Sequence, residues 1–254
     1  VAGGQQQHAG AGRYLLSHGA VASRSIDGER LFTDRFRIPR AYRARWRIRL
    51  GSWLIGLNRE LMDSATWMGV PAAKNPLDAW IYQEIVHETQ PDAIVELGSA
   101  YGGGTLFLAH LLDLLGGDGI VVSVDVSRDS WQADHQRIVQ VTGNSSGPDV
   151  VEQVRGICAG RRTMVIHDAS HRAGQVLKDL AAYGSLVSPG CYLVVEDGVT
   201  DVVPKRVLGA DPGAGPFRAA DAYLRTGAPF DVDPRRERFV ATNNPRGFLR
   251  RREE

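Results

Sequence analysis

Two short segments concentrate side chains that could do chemistry: Ile166-His167-Asp168-Ala169-Ser170-His171 and Val195-Glu196-Asp197-Gly198. Each closes an apolar run of strand character, and in a parallel sheet both termini would lie at the ligand-binding edge. There Asp168, Glu196 and Asp197 can converge on a divalent cation. Oxygen ligands favour magnesium, manganese or calcium over zinc. His171 follows Asp168 by three residues, which in a turn or helix start keeps both side chains on one side. With Asp168 beside it, the neutral imidazole of His171 can take a proton from a hydroxyl whose pKa the cation lowers. Neighbouring strand residues point to opposite faces, so Glu196 and Asp197 can share a cation only if the chain leaves extended geometry, which Gly198 makes easy. A helix cap and an arginine partner are the alternative for this acidic pair. His167, on the strand itself, reads as a packed neighbour that shapes the pocket.

A second group precedes these. The run Ala93 to Leu97 leads into Glu96-Leu-Gly-Ser-Ala-Tyr-Gly-Gly-Gly-Thr105, a glycine-rich turn that opens a helix and leaves backbone amides exposed. Its spacing, Gly98-x-x-x-Gly102 behind an acidic residue, departs from the G-x-G-x-x-G dinucleotide fingerprint and favours a nucleoside-type cofactor without a pyrophosphate. Glu96 can accept from a cofactor ammonium, and Gly98, Ser99, Tyr101, Gly102, Gly103 and Thr105 are the loop contacts expected. Asp125 ends the next apolar run, where a carboxylate can hold two ribose hydroxyls. A cap of the next turn is its plain alternative. Ser145, in Asn144-Ser145-Ser146, is placed at the adenine edge, and Asp168 at the cofactor as well as the metal.

The elements that must position these groups read as an alternation of short apolar runs and amphipathic stretches. Strands are expected at Ala93–Leu97, Ile120–Val124, Arg137–Val141, Thr163–Ile166 and Tyr192–Val195. Helices are expected near Gly103–Leu115, Asp149–Cys158, Ala173–Leu186 and Phe217–Leu224, with one more from about Ala79 capped by Asp78. Phe230–Asp233 and Phe239–Thr242 are expected to close the sheet as an antiparallel pair. The fold class is therefore α/β, a Rossmann-like doubly wound sheet, mostly parallel with an antiparallel C-terminal strand, plus an N-terminal helical extension. Residues 1–75 read as that extension, a cover and oligomer contact, and 76–254 as the cofactor-binding domain. Within the extension, Val1 to Gly12 have little to bury and read as loose.

Composition removes several function classes. The 30 basic and 29 acidic residues leave a formal net charge of +1, too little for a general grip on nucleic acid or an anionic membrane. The arginines between Arg35 and Arg49 read as a solvated helix face and Arg250 to Arg252 as a solvated tail. Cys158 and Cys191 stand in no metal or redox spacing, so free thiols and a reducing cytoplasm are expected. No apolar run approaches a membrane span, and the start lacks a basic segment followed by an apolar stretch.

Beyond these patterns the chain resembles the cephalosporin hydroxylase family, which despite its label contains rhamnosyl O-methyltransferase-like proteins. The resemblance runs from about Trp67 to Arg250. It rests on Trp67-Met-Gly-Val-Pro71, Pro76-Leu-Asp-Ala-Trp-Ile-Tyr-Gln-Glu84, Ile94-Val-Glu-Leu-Gly98 with Gly102-Gly103, Asp168-Ala-Ser-His171, Val187-Ser-Pro-Gly190 and Val195-Glu-Asp197. Arg236-Glu-Arg-Phe239 and Asn244-Pro-Arg-Gly247 extend it. Where the family often has Asp-Ser-Asp-His, this chain has Asp168-Ala-Ser-His171. The resemblance implies a class I methyltransferase fold using S-adenosylmethionine, magnesium held by Asp168, Glu196 and Asp197, His171 as base, and a homo-oligomer. The implied activity is metal-assisted methylation of a hydroxyl on a sugar or other small specialised metabolite. One alternative is a cofactor-binding subunit that serves an oxygenase partner. A hydroxylase would need a 2-His-1-carboxylate iron site, and none of the seven histidines begins an H-x-D or H-x-E pair.

Overall fold

A computed structural model describes residues 50–203, 215–239 and 241–253, which belong to one compact unit, Arg49–Glu254. The expectations for residues 1–49, including the basic stretch from Arg35, lie outside the described residues. Helix α1 spans Leu50–Ser64, and a two-stranded hairpin follows from β1 (Thr66–Trp67) and β2 (Val70–Pro71). The main body runs α2 (Pro76–Thr89), β3 (Ala93–Leu97), α3 (Gly103–Leu115), β4 (Ile120–Asp125), β5 (Ile138–Thr142), α4 (Pro148–Cys158) and β6 (Thr163–His167). It continues with α5 (Ala173–Tyr183), β7 (Tyr192–Val195), the short α6 (Val199–Val202), α7 (Pro216–Arg225), β8 (Phe230–Val232) and β9 (Phe248–Arg251).

Seven strands form one sheet in the order β5-β4-β3-β6-β7-β9-β8. The first five are mutually parallel, and β9 runs antiparallel to both β7 and β8. The alternation of side chains along each strand divides the core. Val95, Leu97, Val165, Leu193 and Val195 face α4, α5 and α7, whereas Ile94, Met164, Ile166, Tyr192 and Val194 face α2 and α3. Both faces are covered, which is why β3, β6 and β7 are rich in apolar residues along their whole length, broken in β3 only by Glu96 and in β6 only by its ends, Thr163 and His167. Burying each large aliphatic side chain contributes roughly 1.5–3 kcal/mol. Strand order reverses between β3 and β6, so the crevice beyond their carboxyl ends is the place this topology reserves for a ligand.

The doubly wound sheet agrees with the sequence, and three local details differ. Helix α2 begins at Pro76 with Asn75 as its N-cap, whose side chain accepts from the Leu77 amide at 3.0 Å. Asp78 is buried in the first turn instead, accepting from Thr242 Oγ1 at 2.6 Å and the Asn243 amide at 2.8 Å. The partner of β8 is Phe248–Arg251, and the described residues of 239–242 form no strand. Burial decides this: Phe248 and Leu249 are fully buried whereas Phe239 is exposed. Gly247 permits the approach, because a Cβ there would lie 2.1 Å from the Val195 carbonyl oxygen. Arg250 and Arg251 thus belong to a strand, with Arg251 Nη1 donating to the Ser185 carbonyl at 3.0 Å, and the run is no tail.

The hairpin is fixed to α3. Trp67 meets Phe107 edge-on at 4.9 Å and donates its indole N–H to His110 Nδ1 at 2.9 Å. Gly103, at the start of α3, lets Pro71 touch the helix, since a Cβ there would stand 2.2 Å from the Pro71 carbonyl oxygen. This contact delivers the next residues, Ala72 to Lys74, to the carboxyl edge of the sheet.

Candidate active site

A cleft of about 270 Å³ opens at that edge, between the glycine-rich loop, Asp125, Ser145, Asp168 and the Pro71–Lys74 segment. The loop turns through Gly98 and Gly102, both at positive φ (87° and 89°). At Gly98 the crowding is absolute, because a Cβ would meet the Asp168 carbonyl oxygen at 2.3 Å. The loop amides of Ser99 and Ala100 donate to one oxygen of Asp125 at 2.8 and 2.9 Å. The other oxygen has only a long 3.5 Å contact with the Ser127 amide and keeps lone pairs for hydroxyl donors.

Of the loop residues expected to contact a cofactor, Glu96, Gly98, Ser99 and Tyr101 line the cleft, as do Asp125, Ser145 and Asp168. Gly102, Gly103 and Thr105 stand behind it. Gly102 packs against Trp131 and Ala133, and Gly103 against Pro71. Thr105 is buried and donates its hydroxyl to Glu96. Ser145 is held from below, its hydroxyl donating to Asp179 Oδ1 at 2.8 Å, while Asp179 Oδ2 lies 3.0 Å from His167 Nε2. His167 is accordingly a buried neighbour of the pocket floor.

The acidic segments meet as the strand ends require, with Asp168 after β6 and Glu196-Asp197 after β7. The chain does leave extended geometry there, but the left-handed residue is Asp197 itself (φ 57°), and Gly198 is helical. A buried Asn244 explains how a non-glycine residue tolerates that conformation: its Oδ1 accepts from the Asp197 amide at 3.0 Å. The turn sends the two carboxylates apart. Asp197 Oδ2 lies 3.0 Å from His171 Nε2 at the exposed side. Glu196, 6% exposed, turns inward and accepts from the Tyr82 hydroxyl at 2.7 Å.

Lys74 occupies the centre of this arrangement. Its Nζ lies 2.8 Å from Asp168 Oδ2, 2.8 Å from Glu196 Oε1 and 3.5 Å from Glu96 Oε1. Burial alone would lower the Lys74 pKa, but the charge of Asp168, then those of Glu196 and Glu96, outweighs it and holds the ammonium well above the usual lysine value. Glu96 moves upward because burial penalises its charge, against the pull of Lys74 and the Thr105 hydroxyl. His171 is raised above the usual imidazole value by its hydrogen bond to Asp197, with burial opposing. Sequence reasoning missed Lys74, Tyr82, Asn244 and Asp179. For Lys74 a signal existed: the chain has only three lysines, at 74, 178 and 205, among its 30 basic residues.

Asp168, His171 and Asp197 offer one ligand atom each, all within 4.8 Å of one another. Two carboxylate oxygens with an imidazole beside them suit a hard divalent cation, and the amide-lined glycine turn opposite Asp125 suits a nucleoside. A second such group, His110, Asp113 and His135, is committed elsewhere. Trp67 and the Arg137 amide donate to the two Nδ1 atoms, so the Nε2 atoms carry the protons, and Arg137 takes Asp113 at 2.6 Å.

The switch-point cleft, its glycine turn and the acid closing the next strand define a class I methyltransferase fold. Solved CmcI structures share it. One with magnesium and S-adenosylmethionine aligns with a TM-score of 0.58 at 22% identity over 74% of this chain and 77% of that one. An apo-structure aligns at 0.57, 22%, 75% and 77%. In sequence, the rhamnosyl O-methyltransferase of Mycobacterium leprae is 34% identical over 200 residues, covering 75% of this chain and 84% of its own. That of Mycobacterium bovis BCG is 34% identical over 192 residues, covering 72% and 77%. Residues 59–252 match the family described as Rhamnosyl O-methyltransferase/CmcI. The chain belongs to this family and is an S-adenosylmethionine-dependent O-methyltransferase, as the motif resemblance implied. No helix among the described residues is long and apolar enough to cross a membrane.

Proposed function

We propose that the enzyme methylates a hydroxyl of a rhamnosyl or related sugar group on a small specialised metabolite, with a divalent cation, magnesium by preference. The observation that carries this reading is the grouping of Asp168, His171 and Asp197, of which Asp168 lines the cleft beside Gly98 of the glycine loop. The acceptor class follows the relatives, which are rhamnosyl O-methyltransferases. When bound, the cofactor supplies the electrophilic methyl group and the cation the charge that lowers the acceptor hydroxyl's pKa.

The chain's own residues do the rest. Asp125 and the Ser99 to Tyr101 turn hold the nucleoside, and Glu96 accepts from the cofactor ammonium. Asp168, Glu196 and Asp197 would hold the cation, Asp168 lying within 4.8 Å of an Asp197 oxygen on one side and joined to Glu196 through Lys74 Nζ on the other. His171 directs its Nε2 proton at Asp197, which leaves Nδ1 to receive the acceptor's proton, and Asp197 both orients the ring and raises its basicity. Residues 1–75 serve as a cover and oligomer contact of a homo-oligomer, with 76–254 as the catalytic domain, although Met62 and Lys74 of the first part reach the cleft. Incubation with methyl-labelled S-adenosylmethionine and a panel of rhamnosides tests the reading. Labelled methyl ether on the sugar supports it. Label transferred to none of them, but to phenolic or amine acceptors, overturns the acceptor class.

A further inference from the structure

We propose that Lys74 is a tethered counter-ion of the cation site: its ammonium stands between Asp168 and Glu196 where a divalent cation would bind, and must leave when the cation arrives. The inference rests on the reading that these carboxylates hold a cation. Its basis is the position of one nitrogen, 2.8 Å from a carboxylate oxygen on each of two different strand ends and 3.5 Å from a third carboxylate, Glu96. The two 2.8 Å distances are those of charge-assisted hydrogen bonds. A magnesium ion on the same oxygens needs about 2.0–2.1 Å to each, so the oxygens must close on it, and an ammonium cannot remain between them. Two cations also repel in a low-dielectric site, so occupancy is exclusive.

The surroundings suit a side chain that stays and a side chain that departs. In place, Lys74 neutralises carboxylates that burial would otherwise leave unpaired, since its own side chain is 12% exposed and that of Glu196 7%. Gly104 makes room for the Lys74 stem beside Glu96, because a Cβ there would stand 2.7 Å from Lys74 Cε and 2.8 Å from Glu96 Oε1. The cleft that Lys74 and Glu96 both line receives the displaced ammonium. A lysine is suited to this by its flexible stem and point charge, where the planar fork of an arginine would lock onto the carboxylates. That the chain, with 30 basic residues, places one of its three lysines here fits the same demand.

The experiment compares Mn2+ binding, by the loss of free-ion paramagnetic resonance signal without cofactor, in the wild type, Lys74→Met and Lys74→Arg. The expected result is at least about tenfold tighter binding by Lys74→Met, equivalent to about 1.4 kcal/mol, and no gain for Lys74→Arg. Equal or weaker binding by Lys74→Met, with the wild type binding, overturns the counter-ion role and leaves the cation reading standing. No Mn2+ binding by any of the three at millimolar ion removes the cation reading and this inference with it. If Lys74→Met does not fold, amine labelling of the wild type decides. Mn2+ is then expected to raise modification of Lys74 several-fold while exposed Lys178 is unchanged, and unchanged labelling of Lys74 overturns the proposal.

Discussion

The two halves of the cleft are built by different means. On the β3–β4 side, backbone amides of one tight turn donate to a single carboxylate, Asp125, twenty-six and twenty-five residues away within one strand-helix-strand unit. On the β6–β7 side, the partners are side chains gathered from across the chain. Lys74 reaches Asp168 over ninety-four residues and Glu196 over one hundred and twenty-two, and Asn244 reaches Tyr82 over one hundred and sixty-two. The first half is a property of local geometry and, in the function proposed above, holds the nucleoside. The second is a balance of charges that exists only once the whole sheet is assembled, and the same proposal assigns it the proton and cation chemistry.

If the halves are separable in this way, the largest effect comes from Asp197→Ala. Methyl transfer should fall by about 10²–10⁴-fold as His171 loses its orienting partner, while the cofactor dissociation constant, read by calorimetry, stays within a few-fold. A parallel loss of cofactor binding breaks the distinction. Gly98→Ala should damage both halves at once, since φ of 87° and the 2.3 Å approach to the Asp168 carbonyl oxygen tie the loop to β6. Strain of about 1–3 kcal/mol is expected in denaturant unfolding. Asp125→Ala should weaken the cofactor by about tenfold, the value of a hydrogen bond to a charged group, with Mn2+ affinity unchanged.

The smallest effect sharpens the charge balance of the second half. Burial raises the Asp78 carboxyl to about 6, against the hydrogen bonds from Thr242 and Asn243, and the Asp197 charge adds to the rise. The folded state therefore binds a proton that the unfolded chain releases near its ordinary value, so this group's contribution to stability falls as pH rises from about 4 to about 6. Asp78→Asn should flatten that slope by on the order of 1–2 kcal/mol in unfolding titrations between these pH values. An identical slope in the variant would show that Asp78 is ionised at no extra cost.

The same division explains what was legible in the sequence. Strands β3, β4, β6 and β7, the glycine turn and Asp125 follow from apolar runs and spacing because the forces that set them act within one structural unit. Asp168, Glu196 and Asp197 could be placed at one edge from strand polarity alone. Which way each turned could not, because the bend falls on Asp197 and is held by Asn244, forty-seven residues later. Lys74 stands between Pro71 and Pro76 in no motif, and only the packing of Pro71 against Gly103 carries it to the carboxylates. The strand at Phe248 was passed over because its arginines resembled a polar tail, although two buried apolar residues precede them.

The central claim is that the charged half of the cleft works through a divalent cation. The most direct test is turnover on a rhamnoside acceptor after exhaustive chelation, with metal content measured in the same sample. The account predicts that transfer is lost on chelation, that S-adenosylmethionine still binds, and that magnesium restores the rate. Undiminished turnover in a sample shown to be free of metal would contradict it and leave the Asp197–His171 pair to act alone.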